Sequence, residues 1–238
     1  MRNVRVDPPA EIGIRDGLAY ALFLPREAPA GGVVVLHGAG SCKESHFDFA
    51  RVLRAADVAA VAFDQRGHGD STGPMDDRAL DDVGLMAALL RQAIGETAPI
   101  GLRGSSMGGY IALVAAGRIG AAAVVAICPA SAEQLARGLR AGRFSFAADR
   151  PALEALFTAH DATQAIAQLD VPVLLMHAEG DDQVPVAHSR ELHAANPSSR
   201  LLVVRGGHHR SIQHDAELQA AAARFLVKAF SAARAAGG

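Results

Sequence analysis

Apolar positions along the chain change period repeatedly, and each change marks an element. Ile12 and Ile14 alternate with polar neighbours, Asp16-Gly17 follows, and an apolar run fills 18–24, which predicts two strands joined by a hairpin turn. Runs at 33–36 and 58–63 are short and solidly apolar, the pattern of strands buried on both faces. Strands are also read at 100–103, 124–127, 173–177 and 201–204, the first and third ending in Arg103 and His177. Between them the spacing turns helical: Phe47, Phe49, Ala50 and Leu53 within 45–56, then Leu80, Val83, Leu85, Leu89 and Leu90 within 78–94, with Gly95 as a stop. Further helices are expected over 106–116, 186–195 and 216–230, and the Ala-rich 229–238 reads as a helix end that frays. Strands alternating with helices imply an α/β class, with a mainly parallel sheet and helices on both faces.

One stretch breaks the alternation. The crossover between 124–127 and 173–177 is longer than a single helix needs, and apolar spacing at 135–139, 153–157 and 162–169 predicts two or three short helices there. The expectation is one domain over 1–238 with an ordered helical cap inserted at about 129–170.

Composition narrows the partners. A chain of 238 residues, half hydrophobic and 20% charged, buries a full core without disulfides or metals and is neither disordered nor fibrous. Lys+Arg at 23 against Asp+Glu at 25, with no long run of one sign, excludes a dedicated nucleic-acid or membrane-surface binder. No apolar run approaches the ~20 residues of a membrane span, and no signal-peptide pattern follows the first basic residues. Cys42 and Cys128 form no CxxC pair, so a cytoplasmic protein with two free thiols is expected. Ten histidines are scattered without H-E-x-x-H or paired Cys/His spacing, which argues against a metal site. No cofactor is expected either, because 67–71 lacks a phosphate-loop pattern and neither Lys43 nor Lys228 follows a glycine loop. A small-molecule substrate remains, and a homodimer stays open.

Gly104-Ser105-Ser106-Met107-Gly108 is a G-x-S-x-G pattern between an expected strand and an expected helix. With 24 glycines and 12 serines in the chain, about 0.1 such pentapeptides arise by chance, so the strand–turn–helix context carries the weight. A strand turning sharply into a helix strains the backbone at the central residue, and flanking glycines allow the close approach. Ser106 would then stand at the carboxyl end of the sheet, with the Met107 N–H at the helix start facing a developing oxyanion. His37-Gly38-Ala39-Gly40 follows the first buried strand and can supply a second donor, the Ala39 N–H. A nucleophilic serine needs a base and an orienting acid. The loops after 173–177 and 201–204 hold Asp181-Asp182 and His208-His209, and both open at the same sheet edge as Ser106.

With these motifs together, HGAG (37–40), DQRGHGDS (64–71), GSSMGG (104–109), HAEGDDQVP (177–185) and GGHHR (206–210), the chain resembles an α/β-hydrolase from about 33 to 230. Among subgroups it is most similar to small serine esterases related to dienelactone hydrolases and prolyl-oligopeptidase catalytic domains, although dienelactone hydrolases use Cys where Ser106 stands. The resemblance implies the α/β-hydrolase fold and a Ser-Asp-His triad. Its spacing selects Asp181, with Asp182 the alternative, and His209, with His208 the alternative. It implies a carboxylic ester hydrolase, with thioesters and amides as related substrates and a non-catalytic binder as the remaining reading; the small size and modest cap suggest short or compact acyl groups.

Other residues take plainer roles. His188 and His193 are expected to face solvent, His68 to be a loop residue, and Ser105 a small side chain under the turn. Cys42 and Cys128 have no His or Asp constellation left for them. Phe144, Phe146 and Phe157 either line the substrate pocket or pack the cap onto the sheet.

Overall fold

Every side chain is buried along β2 (Leu18–Phe23), β3 (Gly32–Leu36), β4 (Ala59–Phe63), β5 (Ile100–Ser105), β6 (Ala123–Ile127) and β7 (Val173–Ala178), so the solid apolar runs form the sheet interior. Only β1 (Glu11–Arg15) and β8 (Arg200–Val204) show partial exposure. These two are the edges of one eight-stranded sheet, ordered β1-β2-β4-β3-β5-β6-β7-β8. β1, β2 and β4 pair antiparallel and the others parallel. The computed structural model describes residues 7–237. The reading of the first residues as lacking a signal segment lies partly outside them, as does Gly238.

The two-residue period of a strand sends alternate side chains to opposite layers. Val34, Leu36, Ile100, Leu102, Val124 and Ala126 join the core under α2 (Ala79–Ile94) and α3 (Met107–Ile119). Val33, Val35, Ala123, Val125 and Ile127 join a second core under α1 (Phe47–Ala55) and α8 (Ala216–Gly237). Each buried Val, Leu or Ile contributes about 1.5–3 kcal/mol, which orders both layers. α8 continues to Gly237 where fraying was expected, since Ala229 and Phe230 remain packed and alanine favours helix.

The long crossover folds as α4 (Ala132–Arg140), α5 (Arg150–Ala159) and α6 (Ala162–Ala167), and α7 (Val186–Ala195) follows β7. Each of the three has a sequence-encoded start: a capping box of Ser131 with Gln134, then Asp149 with Pro151 in the first turn, then Asp161. The segment between α4 and α5 is bound to the loop after β4 by three backbone hydrogen bonds. Ala147 N–H donates to Gly67 O at 3.2 Å, Met75 N–H to Ala147 O at 2.9 Å, and Asp149 N–H to Met75 O at 2.9 Å. Among the described residues no helix is long and apolar enough to cross a membrane.

Candidate active site

Ser106 sits between the last residue of β5 and the first of α3 with φ 53° and ψ −119°, a conformation non-glycine residues avoid. Backbone bonds hold it there: its N–H donates to Ile127 O at 2.9 Å, and its carbonyl accepts from Tyr110 N at 3.0 Å and Ala130 N at 3.1 Å. The glycines are required by contact. A Cβ on Gly104 would lie 2.0 Å from Gly108 O, and one on Gly108 would lie 2.5 Å from both His37 O and Leu36 O. The turn therefore packs directly against the loop after β3.

That loop is set by buried polar side chains. His37 Nε2 accepts from Gln65 N at 3.0 Å, which places the proton on Nδ1, 2.8 Å from Gly38 O. Burial and the nearby His68 push its pKa down to about 4, so the ring is neutral. Lys43 is buried and pairs with Asp64 at 2.8 Å and Asp70 at 2.7 Å, tying the 37–43 loop to 64–70. His68, expected as a plain loop residue, is buried, stacked on Phe146 with centroids 4.2 Å apart and edge-on to His37 at 4.8 Å.

On the other side, the loop after β7 turns Asp181 inward. Its side chain has no exposed surface, and Oδ1 accepts from Gln183 N and Val184 N, both at 2.9 Å. Oδ2 accepts from His209 Nδ1 at 2.7 Å. His177 Nε2 stands 3.3 Å from the same oxygen while donating to Val184 O at 2.9 Å, and its Nδ1 accepts from Ser189 Oγ at 2.7 Å. Burial works against the charge of Asp181, but the N–H groups of His177, His209, Val184 and Gln183 outweigh it and hold the carboxyl well below the usual carboxylate range. An ionised Asp181 fixes the His209 proton on Nδ1 and leaves Nε2 with a free lone pair.

Of the sequence alternatives, the structure pairs Asp181 with His209. Asp182 is exposed on the cavity wall, and His208 is exposed, its Nδ1 accepting from Arg210 N at 3.3 Å. Ser106, His209 and Ala39 line one cavity of about 540 Å³ with Phe144 and Leu135 from the crossover helices. Among the described residues no hydrogen bond joins Ser106 Oγ to His209. Met107 begins α3 with its side chain in the core, and neither its N–H nor that of Ala39 is engaged by an acceptor among the described residues.

Several expectations need correction. Cys128 is not isolated: its Sγ, an Asp181 oxygen and a His209 ring nitrogen lie within 4.8 Å of one another. Such spacing would suit a metal ion, but burial first, and the Asp181 carboxylate beside it, push the thiol pKa up to about 12, which opposes the thiolate a metal needs. Both cysteines are free thiols. His188 is largely buried with 11% of its side chain exposed, and His193 is partly buried, its Nδ1 2.9 Å from Ser199 Oγ, so neither helix position faces open solvent. The aromatics divide: Phe144 reaches the cavity, Phe146 stacks between Phe144 and His68, and Phe157 packs edge-on against Tyr110 at 5.7 Å. Sequence reasoning misses the part played by His177, which it places within an apolar strand. A histidine inside a buried run, four residues before an aspartate, is the signal that could have found it.

A sheet of this strand order with a serine on a strained strand–helix turn is the framework of an α/β-hydrolase, and known proteins agree. A family model described as serine aminopeptidase, S33, matches residues 27–148, and one described as TAP-like protein matches 155–234. The chain belongs to the serine aminopeptidase S33 family of α/β-hydrolases. A curated relative, the uncharacterized protein YqkD of Bacillus subtilis, is 26% identical over 203 residues, covering 78% of this chain; the match spans 66% of YqkD's own length. Ferulic acid-bound Est1E from Butyrivibrio proteoclasticus superposes with a TM-score of 0.73 at 20% identity, over 93% of this chain and 100% of that one. The monoacylglycerol lipase of Paleococcus ferrophilus superposes at 0.66 and 22% identity, over 91% and 99%. These likenesses establish the superfamily and the fold and do not single out the dienelactone hydrolase branch.

Proposed function

We propose that the protein is a serine hydrolase of carboxylic esters. The observation that carries this reading is the strained turn holding Ser106 in the same cavity as a His209 whose Nδ1 is bound to a buried, ionised Asp181. In this reading Ser106 Oγ attacks the acyl carbon while His209 Nε2 takes its proton. The Ala39 and Met107 N–H groups stabilise the oxyanion, each worth about 3–4 kcal/mol by analogy with known oxyanion donors. The imidazolium returns the proton to the leaving alkoxide, and the alcohol departs. Water, deprotonated by the same His209, then releases the acid and restores Ser106. A cavity of about 540 Å³ suits a compact acyl group.

The family description favours a second reading, cleavage of an amide bond near a peptide N-terminus. A free α-ammonium needs a carboxylate, and among the described residues Asp182 is the single carboxylate on a cavity wall that also carries two guanidiniums, so the ester reading is preferred. A fluorophosphonate probe should label Ser106 and spare Ser106→Ala. Turnover of p-nitrophenyl acetate, an acyl-CoA and a dipeptide anilide ranks ester, thioester and amide. No adduct at Ser106 would reduce the protein to a binding module.

A further inference from the structure

The wall of the Ser106 cavity carries two guanidiniums, Arg143 from the turn after α4 and Arg210 directly after His209. Both are exposed, and among the described residues neither forms an ion pair, not even with Asp182 on the same wall. With Asp182 the only carboxylate on the wall, one positive charge is left over, and Gln134, Gln213 and Ser41 add neutral polar groups.

A third guanidinium lies beneath. Arg103 is fully buried on β5, three residues before Ser106. It donates to His46 Nδ1 at 2.7 Å and to the carbonyl of the wall residue Gln213 at 3.4 Å, and stands over the Phe49 ring at 4.8 Å. Its Nε is buried without a partner, and no carboxylate is among its hydrogen-bond partners. A buried cation without an ion pair costs stability, and its field extends through a low-dielectric interior. Two guanidiniums without ion pairs at the wall, and a buried one whose hydrogen bonds go to neutral groups while the Asp48 carboxylate acts on it only from a distance, leave the cavity short of negative charge.

We propose that the substrate is an anionic ester, carrying a carboxylate away from the scissile bond that Arg143 and Arg210 receive. This rests on the reading of Ser106 as nucleophile and names the class of molecule it acts on. The guanidinium fork matches a carboxylate in two parallel N–H···O bonds, which a neutral ester cannot supply.

The test compares monomethyl adipate with dimethyl adipate, which share an acyl chain and differ in one charge, by methanol release. The monoanion should be preferred in kcat/KM by about tenfold or more, and the preference should shrink as salt is raised. Arg143→Gln and Arg210→Gln should each lower the ratio of the two rates, and the double variant should bring it near one. Lys228→Gln, which removes an exposed charge on α8, should leave the ratio unchanged. Equal or better turnover of the diester, or a preference that survives in the double variant, overturns the proposal. p-Nitrophenyl acetate separates the two levels. Its turnover without an anion preference sinks the arginine site alone, while no turnover and no labelling of Ser106 sinks the nucleophile.

Discussion

Replacing Asp181 with Asn keeps the shape of the side chain and removes its charge, and the surrounding donors dictate how the amide must sit. Gln183 N–H and Val184 N–H both point at Oδ1 from 2.9 Å, so the amide oxygen must take that position. The amide NH₂ then falls where Oδ2 stood, 2.7 Å from His209 Nδ1 and 3.3 Å from His177 Nε2. Donor meets donor at both contacts. His209 escapes by moving its proton to Nε2, the atom that must receive the Ser106 proton. The corresponding substitution in a serine protease triad lowers kcat about 10⁴-fold, roughly 5.4 kcal/mol of transition-state stabilisation. A loss of that order is expected here. KM should move little, since Asp181 contributes nothing to the cavity wall while Asp182 does. Steady-state hydrolysis of p-nitrophenyl acetate measures both constants. Asp182→Asn should cost far less. An Asp181→Asn protein with more than about a tenth of wild-type kcat, or a larger loss from Asp182→Asn, would refute the tautomer argument.

Other expectations rest on the same contacts. The Asp181 carboxyl is held below its unfolded value, so its contribution to stability is present above about pH 4 and is lost as pH falls toward the lower folded value; denaturant midpoints should drop on acidification by more in the wild type than in Asp181→Asn. Gly104→Ala places a Cβ 2.0 Å from Gly108 O and should cost about 3 kcal/mol or more, a Tm fall of roughly 6–12 °C for a chain of this length. Gly84→Ala, inside α2 with open space around it, should instead gain about 0.5–1 kcal/mol, so opposite Tm shifts are expected in calorimetry. With its thiol buried and its pKa pushed up to about 12, Cys128 should resist alkylation in the native protein at pH 8 while half-buried Cys42 reacts; equal rates by mass spectrometry would contradict this.

The framework was legible because it rests on local chemistry. Solid apolar runs can only be interior strands, Asp16-Gly17 can only be a tight turn, and the caps at Ser131, Asp149 and Asp161 start helices where the apolar spacing resumes. Ser106 was legible from the G-x-S-x-G pattern, in which Gly104 is demanded by a contact within the turn and Gly108 by the carbonyls of Leu36 and His37 packed against it. The choice of Asp181 over Asp182 came from the family resemblance and not from the physical chemistry of the two residues. Adjacent aspartates look alike until the turn sends one inward onto Gln183 and Val184 N–H and the other to solvent. His177 stands near the end of β7, four residues before Asp181, a local signal covered by the apolar run around it, whereas Cys128 reaches that carboxylate only through the pairing of β6 with β7. The charge of the cavity wall was hidden likewise, since Arg143 and Arg210 come to one cavity only through the tertiary fold.

The segment that carries Phe144 and Phe146 is sewn to the 67–75 loop by the Gly67, Met75 and Ala147 backbone bonds and by ring stacking on His68. Lifting it would break three such bonds at about 0.5–1.5 kcal/mol each, before any loss of stacking. This part of the cavity wall, which Phe144 lines, is thus a fixture instead of a hinged door. Hyperbolic rate curves on dissolved monomers, without a lag and without a jump at an oil–water boundary, are the kinetic signature of that construction.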